Sequence, residues 1–413
     1  MTLPHAHGIA ANRPALPHWL SGHAAFVLAA VMAVLFRLAV WVGTIIHPVP
    51  NEVGAPVSPL HANSQIDLAF YQATRLFYGG WIERFASTPL SDWPALAAVL
   101  LQHLSPANYF GPPFMAGMLS LFDYGAHNTL PLAAVFLLLS CAVVVLWLRW
   151  LQRFGLAVLG LLFVALMPGP LWFMLNVSTD LPFAALLVAF VLVFFSDLPR
   201  RTRYGWALAI AIVATLLRPH GVSLFLFLGL YEAFLAPGRT HRQKVIFGGL
   251  LAVAGVAMMF VFGGYFLWYV QTSSGLDYFG YTSAQFIDGI YPGLPAMLDQ
   301  PLSWLSLLGA KFLYLAGLRP GYGEAASPLV LVRAAAGIVL LPGLIYGFFR
   351  APWAYRFLLV AFFAPVVFGS AQDRYIMPVA PLLVLFAERF AFEIWGLFTG
   401  RRPVFPRLPL ERA

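Results

Sequence analysis

The feature that most constrains this chain is a succession of apolar runs separated by short loops carrying arginine and lysine. The runs cover 22–46, 127–148, 154–174, 179–197, 204–217, 220–236, 245–270, 328–349, 355–371 and 374–397. A helix needs roughly 20 apolar residues to cross a hydrocarbon core of about 30 Å. Backbone in lipid must also satisfy its own hydrogen bonds. The expectation is an all-α integral membrane protein with about ten transmembrane helices and juxtamembrane helices on its outer face. Composition agrees, with 61% hydrophobic residues, only 10% charged and a mean hydropathy of +0.81. Aromatic residues at 16% fit belts at the two interfaces. The apolar run 22–46 is too long for a signal-peptide core and reads as an uncleaved first span.

Basic clusters set the orientation. Arg149 and Arg153 share one loop; Arg200, Arg201 and Arg203 the next basic loop; then come Arg239, Arg242 and Lys244, Arg350 and Arg356, and Arg401, Arg402 and Arg407. Ten spans with the N-terminus inside put all of them on the cytoplasmic side, as the positive-inside rule requires. The chain then divides into a cytoplasmic N-terminal tail (1–21), a polytopic membrane domain (22–397) and a basic cytoplasmic tail (398–413). Two long outer segments result, 47–126 and 271–327. The segment "GPPFMAGMLSLFDYG" (111–125) is apolar, but counting it as a span would move two basic loops outside. It is read instead as a short amphipathic helix at the outer interface. The segment 301–317 is kept on the outer side by the same reasoning. Acidic residues show the reverse bias. Of 16 Asp and Glu, the outer set is Glu52, Asp67, Glu83, Asp92, Asp123, Asp180, Asp277, Asp288, Asp299, Glu324 and Asp373.

Several function classes are disfavoured. The net charge of +8 resides in inter-span loops rather than in a nucleic-acid-binding surface. A single cysteine, Cys141, permits no internal disulfide and no cysteine-rich metal site. His5, His7, His18 and His23 have no ligand partners at useful spacing, so no cofactor is expected and a divalent metal has no support. No glycine-rich loop follows a strand, which disfavours a nucleotide-sugar donor.

Charges placed against apolar sequence mark the candidate chemistry. In "NSQIDLAFYQATRLFYGG" (63–80), Ile66, Phe70, Ala73 and Phe77 follow helical spacing, giving a face that could rest on a membrane. Asp67 stands beside that stripe, with Arg75 two turns on. The run 204–217 would make only about 21 Å of helix, so the turn Arg218-Pro219-His220-Gly221 should lie below the outer surface. Arg218 there is costly without an anionic partner; one reading is a salt bridge to Asp180 or Asp373, or snorkelling, and the other a clamp on a lipid phosphate. In "NVSTDLPFAALL" (176–187), Ser178 or Thr179 can cap a helix whose first turn holds Asp180. The last span opens on Asp373, Arg374 and Tyr375, the tyrosine a natural interface anchor. Arg37 and Arg333 are further cations expected towards the outer side, and Lys311 and Arg319 lie in the second outer segment.

This layout resembles the GT-C superfamily of polytopic glycosyltransferases over about 20–390. The Asp-x-x-x-Tyr pattern after the first span is matched by Asp67 and Tyr71. The proline-led interfacial helix ending in Phe-x-x-Gly is similar to Pro112-Pro113-Phe114 through Phe122-Asp123-Tyr124-Gly125. The Ser-x-Asp helix start resembles Ser178-Thr179-Asp180, the Arg-Pro-x-Gly turn Arg218-Pro219-His220-Gly221, and the Arg-Tyr-x-x-Pro opening of a late span Arg374-Tyr375-Ile376-Met377-Pro378. Leu68 stands where protein mannosyltransferases and the aminoarabinose transferase carry a second acid.

The resemblance implies an inverting enzyme that moves sugar from a polyprenyl-phosphate donor to a glycan, lipid or protein acceptor. It implies Asp67 as general base, with Tyr71, Asp180, Arg218, His220, Lys311, Arg319, Arg374 and Tyr375 as substrate-binding residues. The site would face the periplasm or exterior of a bacterial inner membrane. A transporter or flippase of lipid-linked sugars would also use intramembrane arginines and broken helices, though no repeat is visible here. A polysaccharide ligase or polymerase would place its key residues in a late outer loop. A non-catalytic assembly subunit would tolerate loss of Asp67 and Arg218.

Overall fold

The computed structural model describes residues 23–50, 56–60, 66–103, 113–124, 128–175, 177–260, 328–368 and 375–400, with single positions at 309, 312, 315 and 408. Apart from one two-stranded antiparallel hairpin, β1 (Val49–Pro50) with β2 (Pro56–Val57), its regular structure is helical. In chain order the helices are α1 (His23–Ile46), α2 (Ile66–Ser87), α3 (Trp93–His103), α4 (Pro113–Leu121), α5 (Leu130–Arg153), α6 (Val158–Ala165), α7 (Pro168–Leu175), α8 (Asp180–Phe194), α9 (Arg200–Leu217), α10 (Val222–Leu230), α11 (His241–Met259), α12 (Pro328–Phe349), α13 (Trp353–Phe368) and α14 (Ala380–Thr399). A 3₁₀ turn, Pro219–Gly221, joins α9 to α10, and a π-helical turn, Tyr231–Leu235, extends α10.

Helices occupy each of the ten expected runs, but they differ in length and apolarity. Among the described residues four are long and apolar enough to cross a membrane: α1, α5, the α6–α7 stretch Val158–Leu175, and α11. A fifth is added if α12 and α13 count as one span, and these turn through 118° at their break. The α8 helix and the stretch Pro219–Leu235 are apolar but shorter. The expected single helix over 154–174 is broken after Ala165, where Pro168 starts a new helix because it has no N–H for the preceding turn.

On α1 and α9 small residues face the protein interior. On α1 the buried stripe is Ala25, Ala29, Ala33 and Arg37, four residues apart, while Val27, Leu28, Val31, Met32, Leu35 and Phe36 are exposed. Small side chains let helices approach closely where no water exists to drive large ones together. Ala207, Ala211 and Ala214 repeat the pattern on α9. Gly229 of α10 and Gly248 of α11 meet so closely that a Cβ on Gly248 would lie 2.7 Å from the Gly229 carbonyl oxygen.

Polar groups inside act as joints. Arg37 is fully buried and donates from Nε to Ser140 Oγ at 3.0 Å, and from Nη1 to the carbonyls of Ala33 at 3.0 Å and Ala165 at 2.7 Å. Ser140 Oγ donates in turn to the Pro170 carbonyl at 2.8 Å. Arg37, expected as a cation embedded towards the outer side, is a joint of α1, α5, α6 and α7. Glu388 of α14 accepts the Ala157 N–H at 2.9 and 3.1 Å, fixing the start of α6. The α11 helix has a capping box, Thr240 with Gln243.

Helices form at Ile66–Ser87 and Pro113–Leu121, within the two outer segments expected to be helical. On α2, Ala73 is exposed and Phe77 half-buried, whereas Thr74 is fully buried with Tyr78 and Trp81 half-buried. The inward face is therefore Thr74, Tyr78 and Trp81, since α2 packs on protein through α3 and α4. Trp81 Nε1 donates to the Val99 carbonyl at 3.1 Å. The α4 helix buries Met115, Ala116 and Leu119 and ends at Asp123, whose φ of 45° is a left-handed cap on a non-glycine residue.

Gly343 of α12 is the tightest helix contact: a Cβ there would lie 2.1 Å from the Leu383 carbonyl oxygen of α14. Gly205 of α9 has no atom within 4 Å of its ideal Cβ. Gly343→Ala should lower the thermal midpoint in detergent, because overpacking costs roughly 1–3 kcal/mol or more. Gly205→Ala should leave the midpoint unchanged or raise it, helical alanine being favoured by about 1 kcal/mol. Equal responses would contradict the close α12–α14 approach.

Candidate functional site

Three helix ends converge on one buried group of polar side chains. The first is the start of α8. Thr179 holds the N-cap position but makes no side-chain cap bond. Ser178 Oγ instead accepts the Asp180 N–H at 3.4 Å. Asp180 thus sits in the first turn of α8, where the helix dipole favours an anion, and is 2% exposed.

The second is the end of α9. Proline at 219 disfavours the helical conformation for Arg218, which is extended at φ −158°, ψ 137°. The Gly221 N–H donates to the Arg218 carbonyl at 2.8 Å, closing the 3₁₀ turn. Glycine is required at 221 for close approach. A Cβ there would lie 2.2 Å from the Thr215 nitrogen and 2.3 Å from the Ala214 carbonyl carbon. The turn folds flat against α9, and only glycine leaves room for it.

The third is the turn before α14. The expected span 374–397 starts its α-helix at Ala380, and Tyr375–Val379 form a tight turn closed by the Ala380 N–H on the Ile376 carbonyl at 2.9 Å. This turn places the Tyr375 ring beneath the Arg218 guanidinium, 4.7 Å from centroid to carbon. The His220 ring lies 4.9 Å from the Tyr375 ring.

Arg218 Nη1 donates to Asp180 Oδ1 in a short ion pair. Arg218 is 9% exposed and Tyr375 8% exposed. An ion pair this buried carries a large desolvation penalty, offset by mutual attraction and here by a cation–π face. Asp180 and Arg218 are therefore partners, as one of the two sequence readings held. The guanidinium has five N–H donors, and Asp180 engages Nη1.

The structure gathers four of the nine expected site residues: Asp180, Arg218, His220 and Tyr375. Asp67 and Tyr71 lie on the first turns of α2, and their side chains fall outside the described residues. Lys311, Arg319, Asp373 and Arg374 also fall outside them, as does the side chain of Arg333. Among the described residues no group of three His, Cys, Asp or Glu could hold a metal ion. Sequence reasoning missed a second charged cluster, Arg200, Glu232 and Arg239, at the other end of α9. Its signal was present: Glu232 is a lone carboxylate inside the apolar run 220–236.

No family model matches the chain, and no curated protein or solved structure matches it.

Removing one partner of a buried pair leaves the other charge uncompensated, at a cost of about 3–5 kcal/mol. Asp180→Asn and Arg218→Met should each lower the thermal midpoint, and the double variant should recover most of the loss. Additive losses in this double-mutant cycle would show that the two side chains are not coupled.

Proposed function

We propose that the chain is an inverting glycosyltransferase that takes sugar from a polyprenyl-phosphate donor at the outer face of a membrane it crosses ten times. One observation carries the reading. Three segments by which the sequence resembles the GT-C superfamily, around Asp180, Arg218 and Tyr375, meet through side-chain contacts although nearly two hundred residues separate the first from the last. A guanidinium held among helix ends suits a lipid phosphate, whose head group lies at that level while its tail stays in the hydrocarbon.

In the proposed reaction the Asp67 carboxylate takes the proton of an acceptor hydroxyl. The hydroxyl oxygen forms a bond to the anomeric carbon. The bond from that carbon to the phosphate oxygen breaks, and the polyprenyl phosphate leaves with the electron pair. Single displacement inverts the anomeric centre. The charge that grows on the leaving oxygen is met by guanidinium hydrogen bonds, and preorganised donors of this kind form the largest single contribution in many enzymes. Arg218 is the described cation that fits this role, with Arg374, Lys311 and Arg319 as further candidates and Tyr71 and His220 contacting the sugar or acceptor. The basic loops then lie on the cytoplasmic side of a bacterial inner membrane.

The test is release of polyprenyl phosphate by purified protein from a panel of polyprenyl-phosphate sugars. Asp67→Asn should lower turnover by about 10²–10⁴, the usual contribution of a general base. A variant keeping more than half the activity would remove Asp67 from the mechanism. Arg218→Lys keeps the charge but loses the planar fork, so its rate should fall between wild type and Arg218→Met. Bound lipid-linked sugar with no release from any donor would favour a transporter.

A further inference from the structure

At the end of α9 opposite Arg218, Glu232 sits on the π-helical turn and is 2% exposed. Its carboxylate accepts hydrogen bonds from Arg200 Nη2 at 2.9 and 3.2 Å and lies 2.9 Å from Arg239 Nη1. Arg200 Nη1 also donates to the Pro237 carbonyl at 3.0 Å. The Arg239 guanidinium lies 3.8 Å over the Phe247 ring. Both guanidiniums are thus oriented before any ligand arrives. Burial works against the charge on Arg200, but hydrogen bonding and attraction to Glu232 outweigh it and hold its pKa above the ordinary value.

These groups wall a cavity of about 380 Å³, which Arg201, Leu208, Phe247 and Leu251 also line. Two of the lining arginines hold the one lining carboxylate and the third, Arg201, stands apart from it, so the lining carries two positive charges in excess. Arg201 is exposed. The outer wall continues onto an exposed apolar face of α11, with Val245, Ile246, Leu250 and Val253 all about half exposed or more. In a membrane-embedded chain that face meets acyl chains. Single-turn π segments also occur often at functional sites.

We propose that this cavity binds the phosphate diester of an anionic glycerophospholipid from the leaflet on the basic, cytoplasmic side. Arg200, Arg201 and Arg239 take the phosphate oxygens, and the first acyl carbons lie along Leu208, Phe247 and Leu251. Glu232 is the positioning residue: it holds two of the three forks at fixed angles and keeps the site from being occupied by its own excess charge. The apolar wall selects a lipid over a free anion. Basic pockets between helices on the cytoplasmic side are suited to anionic head groups. The site does not depend on the chemistry proposed at Arg218.

The experiment is lipid binding to delipidated, detergent-solubilised full-length protein, read by native mass spectrometry. The probes are phosphatidylglycerol and phosphatidylcholine of equal chain length, with inorganic phosphate as competitor. Phosphatidylglycerol should bind at least about tenfold more tightly than phosphatidylcholine, and millimolar phosphate should not displace it. Arg201→Gln leaves the Glu232 contacts intact and should weaken phosphatidylglycerol by about fivefold, the effect of one basic residue at a lipid surface. Its thermal midpoint should not change. Arg149→Gln, on the same face outside the cavity, should bind as wild type does. The paired variant Glu232→Gln with Arg239→Gln leaves no unpaired buried carboxylate and should also weaken phosphatidylglycerol. Equal binding of the two lipids, an unchanged Arg201→Gln, or displacement by inorganic phosphate would each overturn the proposal.

Discussion

A guanidinium buried among apolar helices is tolerable only with a partner, and that constraint organises one end of this protein. Arg218 is held by Asp180 and by the Tyr375 ring. Each comes from a different helix end, so the pair fixes where α8 begins, where α9 stops and how the chain enters α14. The cost of breaking such a pair far exceeds that of losing one apolar contact. Gly221 belongs to the same constraint. It lets the turn lie flat on α9, and without that approach Arg218 would be carried away from Asp180.

The α9 helix also acts as a ruler. Its 18 residues span about 27 Å at 1.5 Å per residue, close to the thickness of a hydrocarbon core. Counting only the uncharged residues 204–217 gives a shorter helix and a deeper Arg218. The arginines at its start are themselves helical, so Arg218 lies a full helix length from them. Charge is thus concentrated at both ends of α9, and alanines line the buried face between them. At one end Asp180 offsets Arg218 one for one. At the other Glu232 offsets only part of the arginine charge.

The helical segments were legible because length and hydropathy report directly on lipid exposure, and the α1, α5 and α11 segments follow that signal. The breaks were less legible. Pro168 was readable as a helix start, yet the apolar run 154–174 continues through it without a change in composition. The inward face of α2 was not legible, because hydropathy marks the residues that could rest on lipid, while a helix packed on protein buries what fits. Thr74 fits against its neighbours and Ala73 does not face them. The Arg218 turn was visible as a charge beside proline in an apolar context. Its pairing with Asp180 was not, since partner choice depends on how α8 and α9 are placed. Arg37 shows the same limit: sequence marks a buried cation, but not that the Ala165 carbonyl beside the α6–α7 break and Ser140 of α5 accept from it.

The neutralised pair at Arg218 bears on how the proposed reaction would proceed. A lone buried guanidinium would bind the phosphate of donor and product alike, which lowers KM and slows release without lowering the barrier. With Asp180 beside it, Arg218 presents a fixed dipole rather than a net charge. Such a group responds most to charge that develops after binding, on the oxygen leaving the anomeric carbon. The Tyr375 face and the flat turn at Gly221 hold that dipole in place, so little reorganisation is needed as the bond breaks. The structural role of the pair and its proposed chemical role therefore rest on the same geometry.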